Sequence, residues 1–270
     1  MFTKRFKLIR LLGFDVYVDL SWFIIALLLT WSLATSLFPH HFEGLSVSAY
    51  WWMGASGTLG LFGSVVLHEL GHSLMARRFG LQIKGITLFI FGGVAEMSEE
   101  PPSAKAEFFV AIAGPIVSVL IAALAYALSM AGQSTQWPTA VVGVLWYLGW
   151  INAIVVGFNL IPAFPLDGGR VLRSILWSAG GSLRRATRIT SSIGSAFGFV
   201  LIVFGVINFI GGNIIVGVWQ FMIGMFLRGA AQMSYQQVLI RRALEGEPVS
   251  RFMQTNVNQV PPSTTIAELV

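Results

Sequence analysis

His68-Glu69-Leu70-Gly71-His72 places two imidazoles four residues apart, inside an apolar segment running from about residue 58 to 76. On a helix, side chains at i and i+4 stand one above the other on one face, so both rings can reach a single metal ion. The glutamate after the first histidine lies about 100° round the helix, near that ion yet free to act as a base. Zinc is the default ion, since two imidazoles leave room for a third protein ligand and a water in a tetrahedral site. A five-residue pattern is weak by itself, but ionisable side chains inside an apolar span are costly and mark function.

A third ligand follows by elimination. The chain has no cysteine, so thiolate sites and disulfides are excluded and a metal must be held by histidine and carboxylate. Among the 12 acidic residues, only Glu69 and Asp167 fall at apparent membrane depth, with Glu96 and Glu107 at its margins. Asp167 sits between Pro162-Ala163-Phe164-Pro165-Leu166 and Gly168-Gly169. Prolines break the helix and glycines let the chain turn tightly, and non-helical backbone at this depth is tolerated only where it lines a cavity or is buried in protein. Asp167 is the expected third ligand; the competing role is an N-cap for a helix over residues 168–177. Eight residues earlier, Asn159 carries an amide that can donate to a developing oxyanion or hold a substrate backbone. An interhelical hydrogen bond is the other reading of Asn159. His40 and His41 belong to a loop on the opposite membrane face, too far away to join.

The elements that must position these groups are membrane spans. Of 270 residues, 55% are hydrophobic and 11% charged, against about 25% charged in a soluble domain; mean hydropathy is +0.75. Apolar runs predict spans over residues 20–37, 50–76, 108–131, 141–161, 189–210 and 214–226. Alternation predicts a short strand over 14–18 and a hairpin over 85–97 around Gly92-Gly93. Gly54, Gly57, Gly60 and Gly63 form a stripe at which another helix can approach, and Gly194 and Gly198 a second, weaker one. The net charge of +5 is distributed as for a membrane, not a nucleic-acid surface: every Lys and Arg lies in the N-terminal segment, in the even-numbered connections or after Arg228. The positive-inside rule then puts both termini in the cytoplasm and requires six spans. His72 lies about 8 Å along the helix from Arg77, which places the metal inside the membrane towards the cytoplasm.

These motifs resemble the site-2 protease family of intramembrane metalloproteases, the peptidase family M50-like group. The resemblance rests on His68-Glu-Leu-Gly-His72, Phe91-Gly-Gly-Val-Ala-Glu96, Ala113-Gly-Pro115 and Asn159-Leu-Ile-Pro-Ala-Phe-Pro-Leu-Asp167-Gly-Gly-Arg170, and it covers nearly the whole chain. It implies an all-α polytopic protein with six transmembrane helices and a small membrane-associated β-hairpin or sheet on the cytoplasmic side. His68, His72 and Asp167 then hold one Zn2+, Glu69 activates water, and Asn159 assists the substrate or oxyanion. The hairpin over 86–97, with Gly92, Gly93 and Val94, pairs with an unwound substrate strand.

Residues 249–270 resemble the opening of a CBS-type regulatory domain, a module that commonly binds adenine nucleotides. About twenty residues are too few to bury a core. The expected organisation is a membrane protease domain over 1–232, a linker over 233–248 and the start of the CBS domain over 249–270. The function implied is cleavage of transmembrane segments in membrane-anchored partners, such as an anti-sigma factor or a membrane-bound transcription regulator, in regulated intramembrane proteolysis at the plasma membrane. A metal-ion transporter or metal-binding scaffold is the alternative, and it predicts polar residues along several spans and inverted repeats, neither of which is evident.

Overall fold

A computed structural model describes residues 5–97, 100–180, 182–244, 248–251 and 253. The chain opens with β1 (Arg5–Leu11) and β2 (Phe14–Asp19), joined through Leu12 and Gly13, both at positive φ (48° and 94°). A two-residue loop with both residues at positive φ twists with the strands it joins, and glycine supplies one of them without strain. Later come β3 (Ile83–Phe89) and β4 (Gly92–Met97), giving a four-stranded sheet in the order β1-β2-β3-β4. The expected hairpin is therefore half of a larger sheet: β2 runs parallel to β3, with Val16 opposite Ile86. The strand over 14–18 is present, and its alternation is real, with Phe14, Val16 and Val18 all buried.

Asp19 ends β2 and caps α1 (Leu20–Ser32). Its Oδ1 accepts from the Ser21 hydroxyl at 2.6 Å and from the Ser21 N–H at 2.9 Å, and these bonds hold its carboxyl below the ordinary range. The helix continues through a π-helical turn (Leu33–Leu37) into α2 (Phe38–His41). Five more long helices follow: α3 (Val47–Arg78), α4 (Ala104–Ser134), α5 (Thr139–Asn159), α7 (Leu183–Ile210) and α8 (Ile214–Leu244), with the shorter α6 (Asp167–Gly180) before α7. Ser46, Ser103 and Ser182 cap α3, α4 and α7 with their side chains, satisfying N–H groups that a helix start leaves orphaned.

Among the described residues, five segments are long and apolar enough to cross a membrane: Leu20–His41, Ala104–Ser134, Thr139–Asn159, Leu183–Ile210 and Ile214–Ile240. The sequence predicts six. The segment at 50–76 is inside α3, whose 32 residues give ample length; its glycines, serines, histidines and Glu69 dilute its apolar character. Residues 233–244, expected as linker, continue α8 without a break. Of the CBS-like stretch, Val249–Arg251 forms one 3-10 turn, and most of 249–270 lies outside the described residues.

The packing explains why the sheet belongs to the membrane domain. Phe14 and Ile86 meet Leu70 of α3 in one buried cluster, and Val18 and Leu88 meet Ile25 of α1 and Phe62 of α3 in another. A sheet side chain taken fully out of water in this way contributes about 1.5–3 kcal/mol. The glycine stripe serves two neighbours: a Cβ at Gly54 would press on Thr30 of α1, and one at Gly60 on Leu148 of α5. Helix α4 packs against α3, α5 and α6, while α7 and α8 lie along each other and reach the rest mainly through α6.

Candidate metal centre

Helical periodicity alone brings His68 and His72 together on α3, with their Nε2 atoms 3.1 Å apart. Asp167, the first residue of α6 and 99 residues along the chain from His68, reaches them: its Oδ2 is 3.1 Å from His68 Nε2 and 3.2 Å from His72 Nε2. All three residues are buried. The three atoms form a near-equilateral triangle. Ligand atoms about 2.0–2.1 Å from a tetrahedral zinc stand about 3.3 Å from one another, so the spacing fits that ion and the donor set suits it. Asp167 is thus aimed at the histidines and is not simply a helix cap.

The outer nitrogens fix which atoms face the centre. His72 Nδ1 donates to the Val110 carbonyl at 2.7 Å. A carbonyl only accepts, so that nitrogen carries the proton and Nε2 presents a lone pair. His68 Nδ1 bonds Ser118 Oγ at 2.9 Å in a buried contact, which orients the second ring the same way. Val110, Gly114 and Ser118 follow one another at intervals of four along α4, so one stripe of that helix faces the pair of rings. Gly114 completes it: a Cβ there would overlap Nε2 of both histidines. The cradle exists because that side chain is missing. Replacing Ser118 with alanine should weaken zinc binding roughly 10–100-fold without changing stoichiometry at saturating metal, as read by competition with a chelating dye; unchanged affinity would show the bond to be dispensable.

The loop before Asp167 is anchored through Ala163 and Leu166, both buried, while Pro162 is exposed. Phe164 N–H donates to Thr190 O of α7 at 3.3 Å, and α7 comes this close because Gly194 has no Cβ to strike Phe164. Gly168 and Gly169 do the same for the first turn of α6, where a Cβ would fall on Leu160 and Ile161 or on Ala163 and Phe164.

Glu69 is half-buried next to the triad but turned towards the sheet, where its Oε2 accepts from the Ala95 N–H of β4 at 3.1 Å. Gly93 packs on its stem, since a Cβ at 93 would stand 3.0 Å from Glu69 Cγ. Gly92 begins β4 at φ +126°, and Val94 is exposed. Asn159 ends α5, half-buried, and contributes none of the bonds that hold the triad. His40 and His41 lie in α2, His41 beside Trp146, with no part in the cluster. The sequence reading missed three things here: Ser118, the carbonyl of Val110, and a buried pair of Glu107 with Arg173. An isolated serine in an apolar span, four residues after Gly114, was the available signal for the first.

Known proteins resemble this chain over most of its length. The family model described as peptidase family M50 matches residues 56–143 and 129–203. A Mycobacterium tuberculosis protein bearing the name zinc metalloprotease Rip3 is 36% identical over 252 residues, covering 93% of this chain and 64% of that protein. The Synechocystis zinc metalloprotease sll0528 is 37% identical over 258 residues, covering 96% of this chain and 67% of the relative. The chain therefore spans about two thirds of the length of these relatives. Among solved structures, a site-2 protease from Methanocaldococcus jannaschii superposes with a TM-score of 0.57 at 29% identity, over 85% of this chain and 94% of that one.

Proposed function

Because the chain belongs to peptidase family M50, we propose that it is an intramembrane zinc endopeptidase that cuts transmembrane segments of membrane-anchored proteins. The observation that carries this reading is the buried triangle of His68 Nε2, His72 Nε2 and Asp167 Oδ2 beside an unligated Glu69. His68, His72 and Asp167 would hold the zinc, which when bound would supply Lewis acidity to a peptide carbonyl and lower the pKa of a water to about 7. Glu69 takes the proton from that water and returns it to the leaving amine. Asn159, at the end of α5, donates its amide to the oxyanion or the substrate backbone.

A transmembrane helix hides its carbonyls in its own hydrogen bonds, so the substrate must unwind. Strand β4 is an edge of the sheet, its Ala95 N–H already points at Glu69, and Gly92, Gly93 and Val94 line its start. A substrate strand added along that edge is delivered to the base. In this reading α3 crosses the membrane as a sixth span, both termini are cytoplasmic, and the substrate is a single-span regulator such as an anti-sigma factor. A CBS-type module following α8 would let an adenine nucleotide regulate cleavage.

Metal removal tests the assignment. With the chain co-expressed beside a single-span reporter, a membrane-permeant zinc chelator should abolish the fragment and added zinc should restore it. Fragment formation that persists in metal-stripped membranes overturns the proposal; zinc flux into vesicles without any fragment would favour a transporter.

A further inference from the structure

A buried ion pair ties the two halves of the metal centre together. Arg173 lies on α6, about 9 Å along the helix from Asp167, and is only 3% exposed. Its Nε donates to Glu107 Oε1 at 2.5 Å, its Nη2 pairs with the same oxygen, and Nη2 also reaches Glu100 Oε2 at 3.3 Å. The guanidinium lies over the Phe164 ring, 5.2 Å from its centroid, so it also grips the loop that leads into Asp167.

Glu107 is fully buried in the first turn of α4. Residues 107, 110, 114 and 118 recur at helical spacing on α4, and the last three are the carbonyl, the missing Cβ and the hydroxyl that set both histidine rings. We propose that Glu107 and Arg173 are positioning residues that lock α6 against α4 and so hold Asp167 in register with His68 and His72.

Stability alone does not account for the pair. Taking two charges out of water is expensive, and a buried ion pair is weak evidence for stabilisation; its best-attested use is to fix register. This one is also incompletely satisfied, since Glu107 Oε2 and Arg173 Nη1 are buried without hydrogen-bond partners among the described residues. A pair that holds these charges at that cost while joining α4 to α6 is placed for geometry.

The inference rests on the triad being the metal site, and its test separates the two. Single substitutions strand a buried charge and risk misfolding, so the informative variant is Glu107→Leu combined with Arg173→Met, which replaces the pair by apolar groups of similar size. In purified full chain, this variant should remain monodisperse with a near-native melting temperature. It should bind zinc at least about tenfold more weakly, and its cobalt(II)-substituted form should show a shifted, weakened visible spectrum. Wild-type zinc affinity together with a wild-type cobalt spectrum overturns the proposal. A double variant that cannot fold also overturns it, because the pair would then hold the whole bundle and not α6 alone. His68→Ala run in parallel loses zinc if the triad reading is right; retention there would sink that reading and this inference with it, whereas a wild-type double variant beside a zinc-free His68→Ala sinks this inference alone.

Discussion

Glu69→Gln should lower peptide cleavage by about 10²–10⁴-fold, the usual worth of a positioned general base, while zinc stays bound at one per chain. The three ligand atoms come from His68, His72 and Asp167, so nothing in the triangle is lost when Glu69 changes. Glutamine has the same length and keeps a carbonyl oxygen, so the Ala95 N–H at 3.1 Å retains an acceptor and Gly93 still packs on the same stem. What disappears is the ability to take a proton from water. Fragment formation from a single-span reporter, measured beside elemental zinc in the purified chain, checks both halves. Zinc lost with activity would make Glu69 a ligand; activity retained would leave the chemistry without this base.

How much of this was readable beforehand depends on whether each feature is local. The two histidines are fixed by helical period, which a sequence displays directly. Asp167 was reachable because a membrane chain carries so few carboxylates that most can be set aside by position. Its loop was legible too, since two prolines and two glycines mark backbone that cannot be ordinary helix. Ser118 and Val110 were not: they meet His68 and His72 across 50 and 38 residues of chain, and an apolar helix gives little hint of which face it turns inward. The same holds for Glu107 and Arg173, 66 residues apart: in sequence, Glu107 stands only at a membrane margin and Arg173 only in a basic connection.

Strand β1 escaped for a different reason. Arg5-Phe6-Lys7 starts an alternation, but Leu8-Ile9 breaks it, and the register slips between Lys7 and Ile9 where the pairing with β2 is irregular. A bulge spoils the period-two signal at the position where it occurs. The parallel pairing of β2 with β3 was illegible altogether, as α1, α2 and α3 intervene between them. At the other end, residues 233–244 carry no proline or glycine to stop a helix, so α8 runs on to Leu244.

Gly114→Ala should remove the metal almost as completely as deleting a ligand, although glycine binds nothing. The added methyl group would overlap Nε2 of both His68 and His72, in the space towards which their lone pairs converge. Rings at the end of a free side chain would swing aside cheaply. These cannot, because His72 is tied by Nδ1 to Val110 and His68 to Ser118, and turning either ring breaks a buried hydrogen bond. Separating α4 from α3 is no easier: a Cβ at Gly71 would already stand 3.0 Å from the Ala113 carbonyl, so the backbones are in contact one turn away. Overpacking of this kind typically costs about 1–3 kcal/mol of stability, which a bundle of this size should survive, so the variant is expected to fold with zinc lost and no cleavage. Gly63→Ala is the matched control, since nothing lies within 4 Å of a Cβ there. Elemental zinc per chain in the two purified variants decides the matter: equal, near-stoichiometric zinc in both would mean that the space beside Gly114 is not where the metal is held.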